Sequence, residues 1–365
     1  MCGICGIYHY DKARTADEIA VRRMAKSIQH RGPDDEGYLF DKNLGLGHLR
    51  LSIIDLSEAA HQPMFDETGR YAIIYNGEIY NYLELREQLA AGGSTFFSNS
   101  DTEVILRLYL NEGPDSVQKL NGMFAFVIWD KLERTLFAAR DRLGIKPFYY
   151  FQDGDSFAFA SEIKALFQSG IITPELNPDG LAEYLTFQFC LQDRTMFMHI
   201  RKLEPGCWMT IERDGATHIQ KYWNLDFKVD SDQSPEYFES ELKQLLEDAV
   251  RIQLRADVPV GAHLSGGLDS SFVTCMAASL LDAPIHTFSG GFKEGERYDE
   301  TRFARMAAQQ AGSIHHEVYP DERQFVDEMR GLMAAMDEPA AGPGIFPQLM
   351  VSRLAKQKVK VVLGG

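Results

Sequence analysis

Met1-Cys2-Gly3-Ile4-Cys5-Gly6-Ile7 opens the chain, and its second residue decides how everything after it is read. Removal of one methionine would leave Cys2 as the first residue, and an N-terminal Cys carries its own base. The reference pKa of an α-amine is roughly 7.7–8.0, so an appreciable fraction is neutral near pH 7. That amine can take the thiol proton, directly or through a water, without a His from elsewhere in the fold. The alternative is that Cys2 opens a buried strand, since free Cys is a common small core residue. Position alone leaves both readings open.

Working outward, 365 residues are too many for one ordinary core and suggest about two domains. A hydrophobic content of 45% with 25% charged residues describes a soluble globular protein. The net charge of −16 comes without any basic run, which argues against a nucleic-acid partner; the dispersed acid reads as solvated surface. Five cysteines do not make a disulfide framework, so a reducing, cytoplasmic setting is expected. Cys2 and Cys5 form a Cys-x-x-Cys, but no second pair follows at zinc spacing and His9 stands alone. No basic stretch leads into an apolar core as in a signal peptide, and no apolar run approaches membrane-spanning length, so no membrane partner is expected.

The two halves differ in grammar. Up to about residue 210 the chain reads as short β-rich runs bounded by Gly, Asn and Asp: Gly45–Ile54, Tyr71–Tyr75, Phe124–Trp129, Leu136–Arg140, Phe148–Phe151 and Phe157–Ala160. Helical patterns interrupt them at Ala16–Gln29, Tyr82–Ala90 and Thr102–Glu112, the last capped by Ser100 or Asp101. Antiparallel sheets with helices outside them are the expected solution. After Asp230–Pro235 strands and helices alternate. The expected helices are Pro235–Leu254, Ser270–Leu281, Glu300–Ala311, Glu322–Met336 and Gln348–Gln357; the strands are Val258–Leu264, Ile285–Phe288, His315–Tyr319 and Val359–Leu363. That alternation indicates a doubly wound parallel sheet. The expected domains are 1–216 and 217–365.

The first half holds candidates for each part of an amide-hydrolysing site. Arg50 is a bidentate carboxylate clamp by geometry. Asn76-Gly77-Glu78, at the end of an apolar strand, offers a side-chain amide, an unencumbered backbone N–H and a carboxylate. Asn76 and Gly77 could supply an oxyanion hole, and Glu78 with Asp101 could hold an ammonium. Singly, each has a plainer alternative: Asn-Gly a hairpin turn, Asp101 a helix cap, Arg50 a surface charge.

Taken together these runs resemble the class II glutamine amidotransferase domain. The resemblance is carried by Cys2-Gly3-Ile4-Cys5-Gly6, His30-Arg31-Gly32-Pro33-Asp34, Arg50-Leu51-Ser52-Ile53, Tyr75–Asn81 and Ser100–Glu103. Asn121–Phe126, Arg140–Pro147 and Ser161–Leu166 continue it in the form seen in glutamine-hydrolysing asparagine synthetases. It implies an N-terminal-nucleophile αββα sandwich with Cys2 as nucleophile. It also implies a glutamine pocket of Arg50, Leu51, Ile53, Asn76, Gly77, Glu78 and Asp101, with Asn76 and Gly77 at the oxyanion.

Leu264-Ser265-Gly266-Gly267-Leu268-Asp269-Ser270-Ser271 follows an expected strand and opens an expected helix. Small residues let backbone N–H groups face an anion, and the helix N-terminus adds a favourable dipole. No Lys follows the glycines, so this is not a Walker A loop. Ser-Gly-Gly-x-Asp-Ser resembles the pyrophosphate loop of ATP pyrophosphatases, enzymes that adenylylate a substrate and release PPi. On that resemblance Leu264, Ser265, Gly266, Gly267, Asp269, Ser270 and Ser271 bind ATP, and Asp269 helps hold Mg²⁺. Thr287–Phe292 resembles the family's adenine border, with Gly290 where an apolar side chain is usual, which leaves a backbone contact. Asp299-Glu300 and Met336–Pro339 also resemble family runs, with metal binding or helix capping open as roles. Gly364-Gly365 look like the start of the family's second Gly-rich, acidic loop, so the synthetase half is expected to be cut short there.

The resemblance therefore implies a two-domain amidotransferase. Cys2 hydrolyses glutamine; ammonia reaches, by an internal path, a carboxylate adenylylated with ATP and Mg²⁺. Aspartate to asparagine, with AMP and PPi, is the expected reaction, and a homodimer is the expected assembly. Another carboxylate acceptor, such as a sugar acid or peptide, and a glutaminase-only or regulatory module are the alternatives.

Overall fold

The computed structural model describes residues 1–293, 295, 299–339, 342 and 344–365, which divide into two compact units, Met1–Asp226 and Phe227–Gly365. The first unit contains, in chain order, β1 (Gly3–His9), α1 (Glu18–Ser27), β2 (Asp35–Asp41), β3 (Leu44–Arg50), β4 (Met64–Phe65) and β5 (Tyr71–Ile79). Then come α2 (Tyr82–Ala91), α3 (Asp101–Glu112), β6 (Gly122–Asp130), β7 (Thr135–Arg140), β8 (Tyr149–Gln152) and β9 (Ser156–Ala160). It ends with α4 (Ile163–Gln168), α5 (Pro178–Phe187), β10 (Ile200–Lys202), β11 (Cys207–Ile211) and β12 (Thr217–Lys221).

These strands form two six-stranded antiparallel sheets, β10-β8-β9-β1-β3-β2 and β12-β11-β7-β6-β5-β4. Both faces of each sheet are covered, and the period of two shows why the strands read as continuous apolar runs. In β1, Ile4 and Tyr8 point into the core between the sheets, while Cys5 and Ile7 point outward to α1. In β6, Ala125, Val127 and Trp129 face the inner core, and Phe124, Phe126 and Ile128 face α2 and α3. The result is an αββα sandwich with β1, the strand that follows Cys2, in the middle of its sheet between β3 and β9.

Three local outcomes differ from the sequence reading. The run at Gly45–Ile54 leaves the sheet after Arg50, and Leu51–Ile54 form a loop. Asn76-Gly77 is no hairpin turn: β5 runs on to Ile79, pairing Asn76 with Ala125 and Gly77 with Phe124. A Cβ on Gly77 would lie 2.2 Å from the Met123 carbonyl oxygen, so the glycine serves close strand approach rather than a turn. The unit boundary falls after Asp226 rather than after 216, because β12 pairs along β11 from Cys207↔Lys221 to Ile211↔Thr217.

The second unit contains α6 (Pro235–Gln253), β13 (Val260–His263), α7 (Leu268–Leu280), β14 (His286–Gly290), α8 (Thr301–Ala311), β15 (Ile314–Val318), α9 (Glu322–Met336), α10 (Ile345–Ala355) and β16 (Val361–Leu363). Helix α10 starts before the expected Gln348 because Pro347 lies in its first turn, where a missing N–H costs nothing. The four strands are parallel in the order β15-β14-β13-β16. Strand order reverses between β13 and β16, and in open α/β sheets ligands bind beyond the carboxyl ends of strands at such a switch point. Among the described residues no helix is long and apolar enough to cross a membrane.

Candidate active sites

The first site forms where β4 ends. β4 has two residues, with Met64 paired to Ile73, so the edge of β5 beyond Ile73 has no strand beside it. Alternate residues of a strand turn their peptide groups to the same side. Side chains and loops satisfy the stranded groups. Tyr75 N–H donates to Gln62 Oε1 at 2.7 Å, His48 Nε2 donates to the Tyr75 carbonyl at 3.0 Å, and Ile79 N–H donates to Asp101 Oδ2 at 3.0 Å. The N–H of Gly77 lies between those of Tyr75 and Ile79 and faces the same open edge. The side chain of Asn76 is fully buried, with both its Oδ1 and its Nδ2 unpartnered.

Asp101 is free for this work because Ser100 is the cap of α3, its hydroxyl accepting from Thr102 N–H at 3.1 Å. The Asp101 carboxylate also accepts from the Tyr75 hydroxyl at 2.9 Å. The Cys2 thiol sits against the loop after β3, accepting from Leu51 N–H at 3.4 Å. Arg50 is buried, its guanidinium donating to the carbonyls of Ser57 at 3.1 Å and Ile54 at 3.4 Å, and to that of Asp55. It lines an open depression of about 560 Å³ with Asp34, Ser52, Leu56, Glu58 and His61. Ile53 is half-buried in the same loop.

Burial dominates the electrostatics. It pushes the Cys2 thiol up, against the Leu51 N–H and the N-terminal amine, which draw it down. The Met1 α-amine is held down at about 6, chiefly by burial. Glu78 is raised to about 7 by burial, with Lys146 and the N-terminal amine opposing and Asp101 reinforcing. Asp101 is raised by burial against its hydrogen bonds from Ile79 and Tyr75. His48, fully buried, is driven down to about 3 and is neutral, its Nε2–H donated to Tyr75 and its Nδ1 unpartnered.

Three residues of this region carried no role in the sequence reading. Arg31 is buried; its Nε donates to the Cys2 carbonyl at 2.9 Å and its Nη1 to Glu162 at 2.8 Å. Glu162 also takes His30 at 2.9 Å and Lys164 at 2.5 Å. Burial raises its pKa, but these partners outweigh it and hold the carboxyl at about 2. Lys146 is buried, and burial lowers its ammonium. All three lie within runs that carried the resemblance, so their signal was the motif, with no local pattern to say what each touches.

The second site is the loop between β13 and α7. Gly266 takes φ +89°, and a Cβ there would lie 2.7 Å from Ala304 N, so conformation and space both require glycine. Ser265 and Ser270 hydroxyls are 2.9 Å apart, and Gly267 N–H donates to Ser265 Oγ at 3.3 Å. Ser271 N–H is used inside α7, donating to the Gly267 carbonyl at 3.1 Å. Leu264 is fixed to the next strand, its N–H donating to Phe288 O at 2.9 Å and its carbonyl accepting from Ser289 Oγ. Ser265, Gly267 and Asp269 are exposed at the N-terminus of a 13-residue helix. Gly365, just beyond β16, packs against the same helix start: a Cβ on it would lie 2.2 Å from Ser270 N. Gly364 precedes it, and Gly290 is exposed at the carboxyl end of β14.

Small residues, two serine hydroxyls paired with each other and a helix N-terminus fit a polyphosphate, and the exposed Asp269 carboxylate fits a hard cation. Mg²⁺ usually takes one or two carboxylates plus phosphate oxygens; no group of three or more metal-ligating side chains occurs among the described residues. Asp299, one residue ahead of the N-cap Glu300 of α8, accepts from Thr301 N–H at 3.1 Å and Thr301 Oγ1 at 3.0 Å.

An αββα sandwich headed by Cys2 and followed by a parallel sheet with a glycine-rich loop at its switch point fits the class of two-domain amidotransferases. The glutamine amidotransferase domain family matches residues 1–223, and the asparagine synthase family matches residues 241–365. The chain belongs to the glutamine-hydrolysing asparagine synthetase family. It is 40% identical to glutamine-hydrolysing asparagine synthetase 1 of Bacillus subtilis, over all of this chain and 57% of that protein. It is 42% identical to a Methanocaldococcus jannaschii protein named, provisionally, as a second glutamine-hydrolysing asparagine synthetase, over all of this chain and 74% of that one. The amidase chry2 of Gibberella zeae is 38% identical over 93% of this chain and 52% of its own length. The chain thus spans little more than half the length of some curated relatives it matches. A solved Bacillus subtilis glutamine phosphoribosylpyrophosphate amidotransferase aligns with a TM-score of 0.47 at 16% identity, covering 89% of this chain and 70% of that one.

Proposed function

We propose that the first unit hydrolyses the side-chain amide of glutamine with Cys2 as nucleophile. The observation that carries this reading is Asn76, wholly buried with both carboxamide atoms unpartnered beside the open edge of β5. An unsatisfied buried polar group costs roughly 1–3 kcal/mol, a cost a folded chain keeps where a ligand completes the site. Once Met1 is removed, the α-amine of Cys2 takes the thiol proton and the sulfur attacks the amide carbon. Asn76 Nδ2 and the Gly77 N–H stabilise the oxyanion. The amine returns its proton to the departing ammonia, and water frees glutamate from the thioester. Glu78 and Asp101 hold the α-ammonium of glutamine, and Arg50 its α-carboxylate.

The second unit, on this reading, binds ATP with Mg²⁺ and activates a carboxylate as an acyl-adenylate, which the ammonia attacks to give amide, AMP and PPi. Residues Leu264–Gly267 and Asp269–Ser271, with Gly290, Gly364 and Gly365, hold the nucleotide, and Asp269 holds the cation, whose charge offsets that of the phosphates. Aspartate is the proposed acceptor, supported by the names of the relatives. A different carboxylate is the second reading, supported by relatives named amidases. Paired assays test it: glutamate release from glutamine, and PPi release with MgATP dependent on aspartate. Failure of glutamate release overturns the first half. PPi release that responds to another carboxylate and not to aspartate favours the second reading.

A further inference from the structure

We propose that Tyr75 is a positioning residue of the glutamine site: its hydroxyl commits one oxygen of the Asp101 carboxylate and leaves the other for the α-ammonium of glutamine. The inference rests on the glutaminase reading above and adds a residue to that site.

Tyr75 is buried and held at every polar group it owns. Its N–H donates to Gln62 Oε1 at 2.7 Å, and its carbonyl accepts from His48 Nε2 at 3.0 Å. Gln62 is itself fixed, its Nε2 donating to Thr102 Oγ1 at 3.0 Å. The side chain of Tyr75 turns to the outer face of its sheet, with Ile73 and Ile79. Gly77 lies between Tyr75 and Ile79 on that face, and the ring crosses it: a Cβ on Gly77 would lie 2.7 Å from Tyr75 Cε2. The glycine therefore gives passage to this side chain as well as to the backbone of β6. Beyond Gly77 the hydroxyl meets Asp101 Oδ2 at 2.9 Å, and the same oxygen takes Ile79 N–H at 3.0 Å.

That geometry divides the carboxylate. Oδ2 has two donors, a phenol and a peptide N–H, while Oδ1 has the Ser100 hydroxyl at 3.5 Å, the outer limit of a hydrogen bond. The terminal torsion of an Asp side chain is broad and two-fold, so one N–H does not settle how the carboxylate faces. A phenol and an N–H reaching the same oxygen from different residues do settle it. Oδ1 is then the oxygen left for a cation. The phenol is the donor, because burial and the neighbouring Asp101 hold its proton on. The spacing suits the ligand as well. The N–H groups of Gly77 and Ile79 lie two residues, about 7 Å, apart along β5. In extended glutamine the amide oxygen and the α-nitrogen are five bonds apart, a similar span. An amide oxygen at the Gly77 N–H brings the ammonium toward the carboxylate held at Ile79, and Tyr75 runs between the two ends.

The test uses the full chain with Met1 removed, verified by intact mass, as wild type, Tyr75→Phe and Asp101→Asn. Tyr75→Phe removes the hydroxyl and keeps the ring that packs on Gly77. The probe beside glutamine is glutaric acid monoamide, which is glutamine without its α-ammonium, read as a competitive inhibitor of glutamine hydrolysis. Tyr75→Phe raises KM for glutamine roughly tenfold, with kcat at saturation changed less than about threefold. The inhibition constant of the monoamide changes less than about twofold, because it has no ammonium to lose. Asp101→Asn shows the same selectivity with a larger rise in KM. An unmoved KM in Tyr75→Phe, with the rise present in Asp101→Asn, overturns the proposal and leaves the glutaminase reading in place. So does an equal loss for glutamine and the monoamide, which makes Tyr75 a matter of pocket shape, or a fall in kcat with KM in place. An Asp101→Asn variant with unchanged KM removes Asp101 from the ammonium, and the proposal with it. A wild type that hydrolyses no glutamine overturns the glutaminase reading itself.

Discussion

The two sites are built on opposite principles. Around Cys2, ionisable and polar groups are buried: Asn76, Glu78, Asp101, Arg31, Arg50, His48 and Lys146 are all under a tenth exposed. At the loop of β13, Ser265, Gly267 and Asp269 face solvent, and the hydroxyls meet one another. The first site is arranged before any ligand arrives, held by strands and side chains from distant parts of the chain. The second presents a helix start and a glycine-shaped backbone to solvent. On the reading proposed above, a glutamine site whose groups are already in place spends little of the ligand's binding energy on ordering them. On the same reading, a polyphosphate with its cation brings strong charge of its own to an open cradle.

That contrast can be broken experimentally. The largest expected effect is Cys2→Ala, which lowers glutamine hydrolysis by roughly a thousandfold or more while leaving nucleotide binding at the second site unchanged. Retained glutamate release would remove Cys2 as nucleophile. Next, Asn76→Ala lowers kcat for hydrolysis by roughly a hundredfold with little change in KM, the mark of an oxyanion donor. An equal loss confined to KM would instead make Asn76 a ground-state contact. At the open site, Asp269→Ala weakens Mg²⁺-dependent ATP binding roughly tenfold or more, read by titration calorimetry, and leaves glutamate release alone. Loss of both activities would show that the sites do not separate as drawn.

Smaller effects sharpen the same contrast. Glu162, on which His30, Arg31 and Lys164 converge, has a folded pKa of about 2, below its unfolded value. Its contribution to stability is therefore present above pH ~4.5 and lost as pH falls from there toward 2. Glu162→Gln should lower stability by about 1–3 kcal/mol in denaturant titrations at neutral pH, with the difference from wild type shrinking in acid. A constant difference across that range would mean that the pairing is not what stabilises.

Legibility followed the same divide. The loop at Leu264–Ser271 was readable because its properties are local: glycine where φ is positive, small residues, a helix directly after. The alternation of strands and helices beyond Pro235 was readable for the same reason. The Asn76-Gly77 pair was misleading by local rules, since that dipeptide signals a turn. Only the pairing with Ala125 and Phe124 shows it to be mid-strand. Helix α3 had two equivalent caps in sequence, Ser100 and Asp101. The structure gives capping to Ser100 because Asp101 is drawn to Tyr75 and Ile79.

The sequence by itself determined the alternation of strands and helices beyond Pro235, the place of Cys2 at the head of the chain, the glycine-rich loop after β13, and the family to which these motifs belong. Each depends on residues close together in the chain, where backbone sterics and spacing act directly. Tertiary structure alone decided that β4 stops short and strands the peptide groups of Tyr75. It also decided that His48 stays neutral against that carbonyl, that Arg31 and Glu162 tie down the backbone of Cys2, and that Lys146 turns inward while Leu143 and Ile145 turn out. These outcomes depend on which distant groups meet and how much water they lose, and spacing along a chain does not record desolvation.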